Sequence, residues 1–363
     1  MSGQAQKNGA RLARSVSAWE GAAVDNAGSP SRSRPGSRIA GTGHYVPSRE
    51  LTNAELATMV DTTDAWITDR TGIRSRRIVA PGETTSDMAS EAARRALEAA
   101  EISATDLDLI IVATFTPDAP LPSTASYVQS KIGARHDCPA FDLAAACAGF
   151  CYALQVADLH VRGGAAKHVL VIGVESMSSV TDWKDRGTCV LFGDGAGAVI
   201  VSTPTEQGDQ RGIVGTHLYS DGALAPLLHI PAGGTARPTT AATLADRQHY
   251  LKMRGSDVFK VAVKSLVSAC KKALEAANLT ADDVDWVVPH QANHRILVAV
   301  AERLEIPMDR FYINLDRVGN TSSASIPIAF DEAVRGGQIK KGQLVLFCAF
   351  GAGVAWASAL VRV

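Results

Sequence analysis

Two stretches of this chain repeat each other, and the repeat limits the fold more than any other feature. Residues 96–111 read ALEAAEISATDLDLII and residues 273–288 read ALEAANLTADDVDWVV, aligned without a gap at an offset of 177. Each has the pattern of a helix end, a polar turn with Ser103 or Thr280 at an N-cap-like place, and an apolar strand. Asp106 and Asp108 align with Asp283 and Asp285. A second echo closes each half: FGDGAGAVIV at 192–201 and FGAGVAWASAL at 350–360. A period this long is not that of a solenoid and implies duplication of a whole α/β unit. The second offset is shorter, so the first half carries the longer insertion before that point.

Within each half, short apolar strands alternate with helices. Strands are expected at 39–46, 109–114, 140–143, 169–174 and 196–201, then at 213–218, 286–289, 311–314, 344–349 and 354–361. Helices are expected at 86–100, 148–161, 258–277 and 291–304. This alternation predicts a layered α/β fold with mixed sheets and helices outside and between them. The halves divide at 39–206 and 207–363. The length of 363 residues and a 46% hydrophobic content are enough for such a core.

Charge is balanced, 36 basic against 37 acidic residues, which gives no support for nucleic-acid binding. No apolar stretch is long enough to span a bilayer, so no membrane role is expected. The six cysteines lie in or beside apolar segments without Cys-x-x-Cys spacing. That excludes the common zinc and redox motifs and fits buried thiols in a reducing cytoplasm. Residues 1–38 hold six basic and two acidic residues, seven Ser and five Gly. They read as a disordered extension. An organelle transit peptide shares that composition and is the lesser reading; it would send the chain to a plastid.

Residues 138–154 read CPAFDLAAACAGFCYAL. A strand ends near Leu143, small residues follow, and an almost wholly apolar helix begins after Cys147. A helix N-terminus favours a thiolate through its free N–H groups and dipole, and a thiolate is the natural nucleophile for thioester exchange. Taken alone, an apolar-flanked cysteine is more often a small core residue. Cys151, one turn further in, reads as core. In WVVPHQANHRI at 286–296, His290 sits just past an apolar strand, where catalytic groups are commonly displayed. His294 lies four residues on, but with no third ligand the metal reading is weak. In VGNTSSASIP at 318–327, Asn320 precedes a run of small residues opening another helix, where it is a candidate N-cap. In the duplicated frame this turn takes the place of the Cys147 turn, so the two helix starts should face each other. The glycine strings at 41–43 and 193–197 lack dinucleotide-loop spacing and read as tight backbone passages.

With DLAAACAGF, VPHQAN, GNTSSAS and TTDAWITDRTGIRSRR (62–77) together, residues 39–363 resemble the beta-ketoacyl-[acyl-carrier-protein] synthase III family of the thiolase superfamily. The resemblance implies a five-layered αβαβα thiolase-like fold built from two duplicated halves, and a homodimer. It implies the initiating condensation of type II fatty-acid synthesis: a short acyl-CoA primer acylates Cys147, and malonyl-acyl carrier protein then loses carbon dioxide and attacks. His290 and Asn320 would donate hydrogen bonds to the developing enolate, and backbone N–H groups of Cys147 and Ala352 would hold the acyl-transfer oxyanion. Ala352 departs from the family, which usually has a third glycine there. No cofactor is implied; coenzyme A enters as a thioester substrate. The resemblance carries Thr62, Trp66, Arg70, Arg186, Ser256, Phe259, Ala292 and Asn293 to the CoA tunnel. It carries Leu121 to the primer pocket of the neighbouring subunit, and Gln291, Arg295 and Lys260 to the rim that meets the carrier protein. Two alternatives share these motifs. A polyketide or secondary-metabolite starter enzyme would keep the same triad. A non-catalytic partner subunit would lose the nucleophile, and Cys147 is present.

Overall fold

The computed structural model describes residues 36–204 and 211–363. The expected extension over 1–38 lies outside these residues except for its last three, and so does the division at 206–207. Ser37 is buried and donates to Asp158 (2.5 Å), and Arg38 opens the first strand.

The first main sheet comprises β1 (Arg38–Tyr45), β2 (Leu109–Ala113), β3 (Ala140–Leu143), β4 (His168–Glu175) and β5 (Gly195–Ser202), in the order β1-β5-β4-β2-β3. The second comprises β6 (Gly212–Ser220), β7 (Trp286–Pro289), β8 (Leu344–Gly351) and β9 (Ala355–Arg362), in the order β7-β8-β9-β6. Pairing directions match: β2 and β4 are parallel, as are β7 and β8, while β5 and β9 run antiparallel to both their neighbours. The repeated aspartates do matched work. Asp108 accepts from the N–H groups of Lys167 (2.7 Å) and His168 (3.1 Å) at the start of β4, and Asp285 accepts from Leu344 N–H (2.7 Å) at the start of β8. Ser103 with Asp106 and Thr280 with Asp283 form capping boxes on equivalent short turns.

One expected strand is not there. Residues 311–314 contribute only a bridge between Phe311 and Val287, where β3 pairs with β2 in the first half. The reason is Asn314. Its carbonyl accepts from Arg317 and Val318 in a helical turn, and its amide donates to Glu332, so the segment bends away from the ladder. The shortened offset also has a location. The connection between β4 and β5 runs from 176 to 194, whereas β8 and β9 are joined through 352–354. The long version carries Arg186 and the 190–192 segment into the site below.

α1 (Asp64–Thr71) carries Trp66 and Arg70, and the longer helices complete five layers. α2 (Thr85–Ala100) and α3 (Thr124–Ile132) cover the outer face of the first sheet. α4 (Gly149–Arg162) and α7 (Ser325–Arg335) lie between the sheets, and α5 (Gly255–Ala276) packs on the outer face of the second with α6 (His294–Leu304) against it. On the faces turned to the sheets α4 buries Phe150, Cys151, Ala153, Leu154, Ala157 and Val161, and its one buried acid, Asp158, accepts from Ser37 and from Arg162. Phe347 of β8 meets Phe150 of α4 edge-on at 6.1 Å and Phe330 of α7 at 5.1 Å, which pins both central helices to one sheet. No helix among the described residues is long and apolar enough to cross a membrane.

Candidate active site

Cys147 stands on a one-turn helix (Ala146–Ala148) between the end of β3 and α4. Ala146 has φ +46°, a strained left-handed conformation for a residue with a Cβ. The turn is pressed against the end of β8: a Cβ on Gly351 would lie 2.6 Å from Cys147 N. Burial pushes the thiol up to about 12. The Ser322 hydroxyl and the backbone N–H groups of Cys147 and Ala352 pull the other way, while the charge of Glu175 adds to the rise. The helix start favours the thiolate as expected, but burial raises the thiol by more than these N–H groups lower it.

Alanine at 352 meets no left-handed backbone strain in the FGAG turn. The left-handed residues there are Gly353 (φ +72°) and Val354 (φ +42°), not Ala352. Ala352 keeps its N–H directed at the sulfur, as a glycine would.

His290 follows β7, with its N–H bonded to Cys348 O (2.8 Å). The imidazole is buried and Nδ1 has no partner among the described residues. Burial holds it down at about 4, so the ring is neutral at physiological pH. Asn320 is locked through its backbone to the 191–193 segment: its N–H donates to Leu191 O (2.9 Å) and its carbonyl accepts from Gly193 (3.1 Å). Oδ1 accepts from Ser322 N–H (2.9 Å), which fixes the amide orientation and leaves Nδ2 to donate elsewhere.

All three side chains line one cavity of about 600 Å³. Trp66, Arg70, Arg186, Ser256, Phe259, Lys260, Ala292, Asn293, Arg295 and Ala352 line it too. At its open end the guanidinium carbons of Arg70 and Arg186 lie 4.7 and 4.8 Å from the Trp66 ring, so the flat slot is closed on itself and a base must part it. Four exposed cations ring that end: Arg70, Arg186, Lys260 and Arg295.

Other expected positions fall elsewhere. Gln291 cannot meet a partner, because it is fully buried and its amide donates to Pro289 O and Tyr312 O. Thr62 is not among the lining residues. The Asn293 amide is spent on the fold: Oδ1 caps α6 at Arg295 N–H and Nδ2 donates to Arg70 O. Leu121 is 85% exposed and does not line this chain's own cavity. His290 and His294 do not form a metal cluster; none exists among the described residues. The duplicated frame pairs Cys147 with Ser323 rather than with Asn320, since α4 and α7 begin 176 residues apart. Sequence reasoning missed Glu175 and Ser322, which both stand behind Cys147. A lone acid closing the apolar strand VLVIGVE was the available signal for Glu175.

The fold and the site define a condensing enzyme of the thiolase-fold type. Residues 141–222 match the family described as 3-oxoacyl-[acyl-carrier-protein] synthase III, and residues 274–363 match its C-terminal counterpart. The beta-ketoacyl-[acyl-carrier-protein] synthase III of Thiobacillus denitrificans is 53% identical over 326 residues, 90% of this chain and 99% of that one. The 3-oxoacyl-[acyl-carrier-protein] synthase III structure from Aquifex aeolicus matches with a TM-score of 0.83 and 46% identity, over 90% of this chain and 100% of that one. A priming beta-ketosynthase of a polyketide pathway matches with a TM-score of 0.82 and 39% identity, over 92% and 98%. The chain belongs to the beta-ketoacyl-[acyl-carrier-protein] synthase III family and is a condensing acyltransferase.

Proposed function

We propose that Cys147, His290 and Asn320 carry the initiating condensation of type II fatty-acid synthesis in two half-reactions. Cys147 attacks the carbonyl of a short acyl-CoA, and the N–H groups of Cys147 and Ala352 hold the oxyanion while CoA leaves. Malonyl-acyl carrier protein then places its thioester oxygen between His290 and Asn320 Nδ2. Charge grows on that oxygen as the carboxylate departs as carbon dioxide, and the resulting carbanion attacks the acyl-enzyme. Two neutral donors suit this step, because a cation there would hold the carboxylate that must leave. One such donor is typically worth about 10²–10³ in rate.

The observation that carries the reading is the shared cavity, with a neutral buried imidazole and an amide pinned at Oδ1 beside the cysteine. The closed Trp66–Arg186 slot suits the adenine of CoA, and the cationic rim suits CoA phosphates and the acidic carrier. Exposed Leu121 fits a role in a second subunit's primer pocket, hence a homodimer. The scheme calls for no resident cofactor or metal, and a cytoplasmic enzyme is the reading we favour over a plastid one. Intact mass after incubation with a panel of acyl-CoAs tests the scheme. One acyl adduct should form on the wild type and none on Cys147→Ala, and malonyl-carrier should discharge it as 3-oxoacyl-carrier. An adduct on Cys147→Ala refutes it.

A further inference from the structure

Behind Cys147 lies a buried polar seam that the three expected residues do not use. Ser322 stands there with φ +51°, a conformation that costs a residue with a Cβ and persists only when its surroundings enforce it. From that position its N–H fixes Asn320 Oδ1, and its hydroxyl lies 3.4 Å from Cys147 Sγ and 3.5 Å from Glu175 Oε1. Glu175 is fully buried at the end of β4.

The two carboxylate oxygens of Glu175 have different surroundings. Oε2 accepts from the hydroxyls of Thr114 (3.1 Å) and Thr116 (2.5 Å) and from the N–H groups of Phe115 (3.2 Å) and Thr116 (3.1 Å). That set stitches the end of β2 to the end of β4 and accounts for a structural role. Oε1 is surplus to it. It has a long contact with Phe115 N–H (3.4 Å) and faces the hydroxyls of Ser322 and Ser323. The Ser323 hydroxyl has a closer acceptor in Ala113 O (2.8 Å). The Ser322 hydroxyl therefore stands between a carboxylate oxygen and the sulfur, with a possible partner on each side.

We propose that Ser322 and Glu175 form the proton path of Cys147. As Sγ bonds to the thioester carbon, the S–H proton passes to Ser322 Oγ while the Ser322 proton passes to Glu175 Oε1. The coenzyme A sulfur leaves with its bonding pair and takes a proton from solvent at the open end of the cavity. In the second half-reaction the bond between Sγ and the acyl carbon breaks, and the pair stays on Sγ. The Glu175 carboxyl then returns its proton through Ser322. One proton is drawn from solvent per turnover, as the overall condensation with loss of carbon dioxide requires. The proposal rests on Cys147 being the nucleophile.

The titration of the two groups supports this path. Burial pushes the thiol up to about 12, so a proton acceptor beside Sγ favours its attack as the carbon–sulfur bond forms. Burial raises the Glu175 carboxyl to about 7, where it can both take and return a proton. The groups facing it are the Cys147 thiol from the start of α4, the hydroxyls and N–H groups of 114–116, and the hydroxyls of Ser322 and Ser323.

The test is the single-turnover rate of Cys147 acylation by acetyl-CoA, followed by intact mass across roughly pH 5–9. Wild-type acylation should fall by about tenfold per pH unit below about pH 7, as the carboxylate is lost. Glu175→Gln keeps the shape and should acylate about 100-fold more slowly near neutrality, with that limb gone from the profile. Ser322→Ala breaks the chain while leaving the carboxyl in place, and should slow acylation comparably; it keeps the test alive if Glu175→Gln does not fold. Acylation by both variants within about threefold of wild type, on the same pH profile, overturns the proton path. An acyl adduct on Cys147→Ala overturns the nucleophile assignment instead.

Discussion

Gly351 offers a clean test of how tightly Cys147 is held. Its φ of −149° is open to any residue, so alanine meets no dihedral barrier there. Space is the obstacle. An added Cβ would lie 2.6 Å from Cys147 N, 3.0 Å from its Cβ and 3.1 Å from its Cα. These are backbone and near-backbone atoms that cannot swing aside. The Cys147 turn is fixed by the strained Ala146 and by the bond from Ala148 N–H to Ala145 O, and Gly351 is fixed by its pairing with Ala355. Overpacking of this kind costs about 1–3 kcal/mol. If the Cys147 turn yields and the cost falls on the reacting geometry, acylation slows by roughly 5- to 150-fold. If instead the sheet yields, the cost appears in stability. Gly351→Ala should therefore lose single-turnover acylation, urea stability, or both. Gly215→Ala in β6 is the control, because its nearest contact would be His217 Nε2 at 3.7 Å. A Gly351→Ala enzyme that matches the control in both assays would refute the close packing of the strand end against Cys147.

Three further outcomes are expected. His290→Ala and Asn320→Ala should each lose about 10²–10³ in malonyl decarboxylation while acylating at near wild-type rates; loss of acylation with decarboxylation intact would reverse the division of labour. Leu121→Phe should move the primer optimum toward acetyl-CoA and Leu121→Ala toward longer chains, since each buried methylene gains roughly 0.8 kcal/mol until it meets a wall; identical profiles would remove Leu121 from the pocket. The third concerns pH. His290, depressed to about 4, contributes stability that is present above its unfolded pKa and lost as pH falls toward 4, whereas Glu175, raised to about 7, contributes stability that is present in acid and lost as pH rises through 7. Each swing is worth roughly 3 kcal/mol and the two oppose each other between about pH 4.5 and 6.5. Glu175→Gln should thus lose more urea stability than wild type on going from about pH 7 to 5, and equal losses would refute the opposition.

Much of the fold was legible because duplication made the sequence its own reference. Asp108 and Asp285 could be aligned before either had a partner, and both tie one parallel strand to the next. The long β4–β5 connection was implied by a change of offset alone. What failed depended on contacts distant in sequence. Residues 311–314 have a strand's apolar pattern, yet Asn314 finds better partners in Glu332 and a helical turn. Gln291 was carried to the rim by the resemblance alone. In space that amide satisfies two buried carbonyls. The candidate site was half legible. Cys147, His290 and Asn320 stand in motifs, but Glu175 lies 28 residues from Cys147, and Ser322, which stands between the two, comes from the other half. The thiol's titration was also hidden, because a helix start is visible in sequence and full desolvation is not.

The duplication also explains why the site needs both halves. Ala146 and Ser322 are 176 residues apart, open equivalent turns, and share the same strain, φ +46° and +51°. The hydrogen bonds of the turns repeat as well: Ala148 N–H to Ala145 O in one, Ala324 N–H to Thr321 O in the other. The strain therefore belongs to the repeated unit and is not specific to thiol chemistry. What differs is the side chain each turn presents. The first half offers a thiol with alanines around it; the second offers hydroxyls and the amide of Asn320. Two thiol turns meeting at this distance would invite a disulfide and leave no donor for an enolate. Two hydroxyl turns would leave no nucleophile for thioester exchange. Because the turns meet face to face, with Ser322 Oγ 3.4 Å from Cys147 Sγ, the divergence of the halves places the proposed nucleophile of one against the proposed donors of the other.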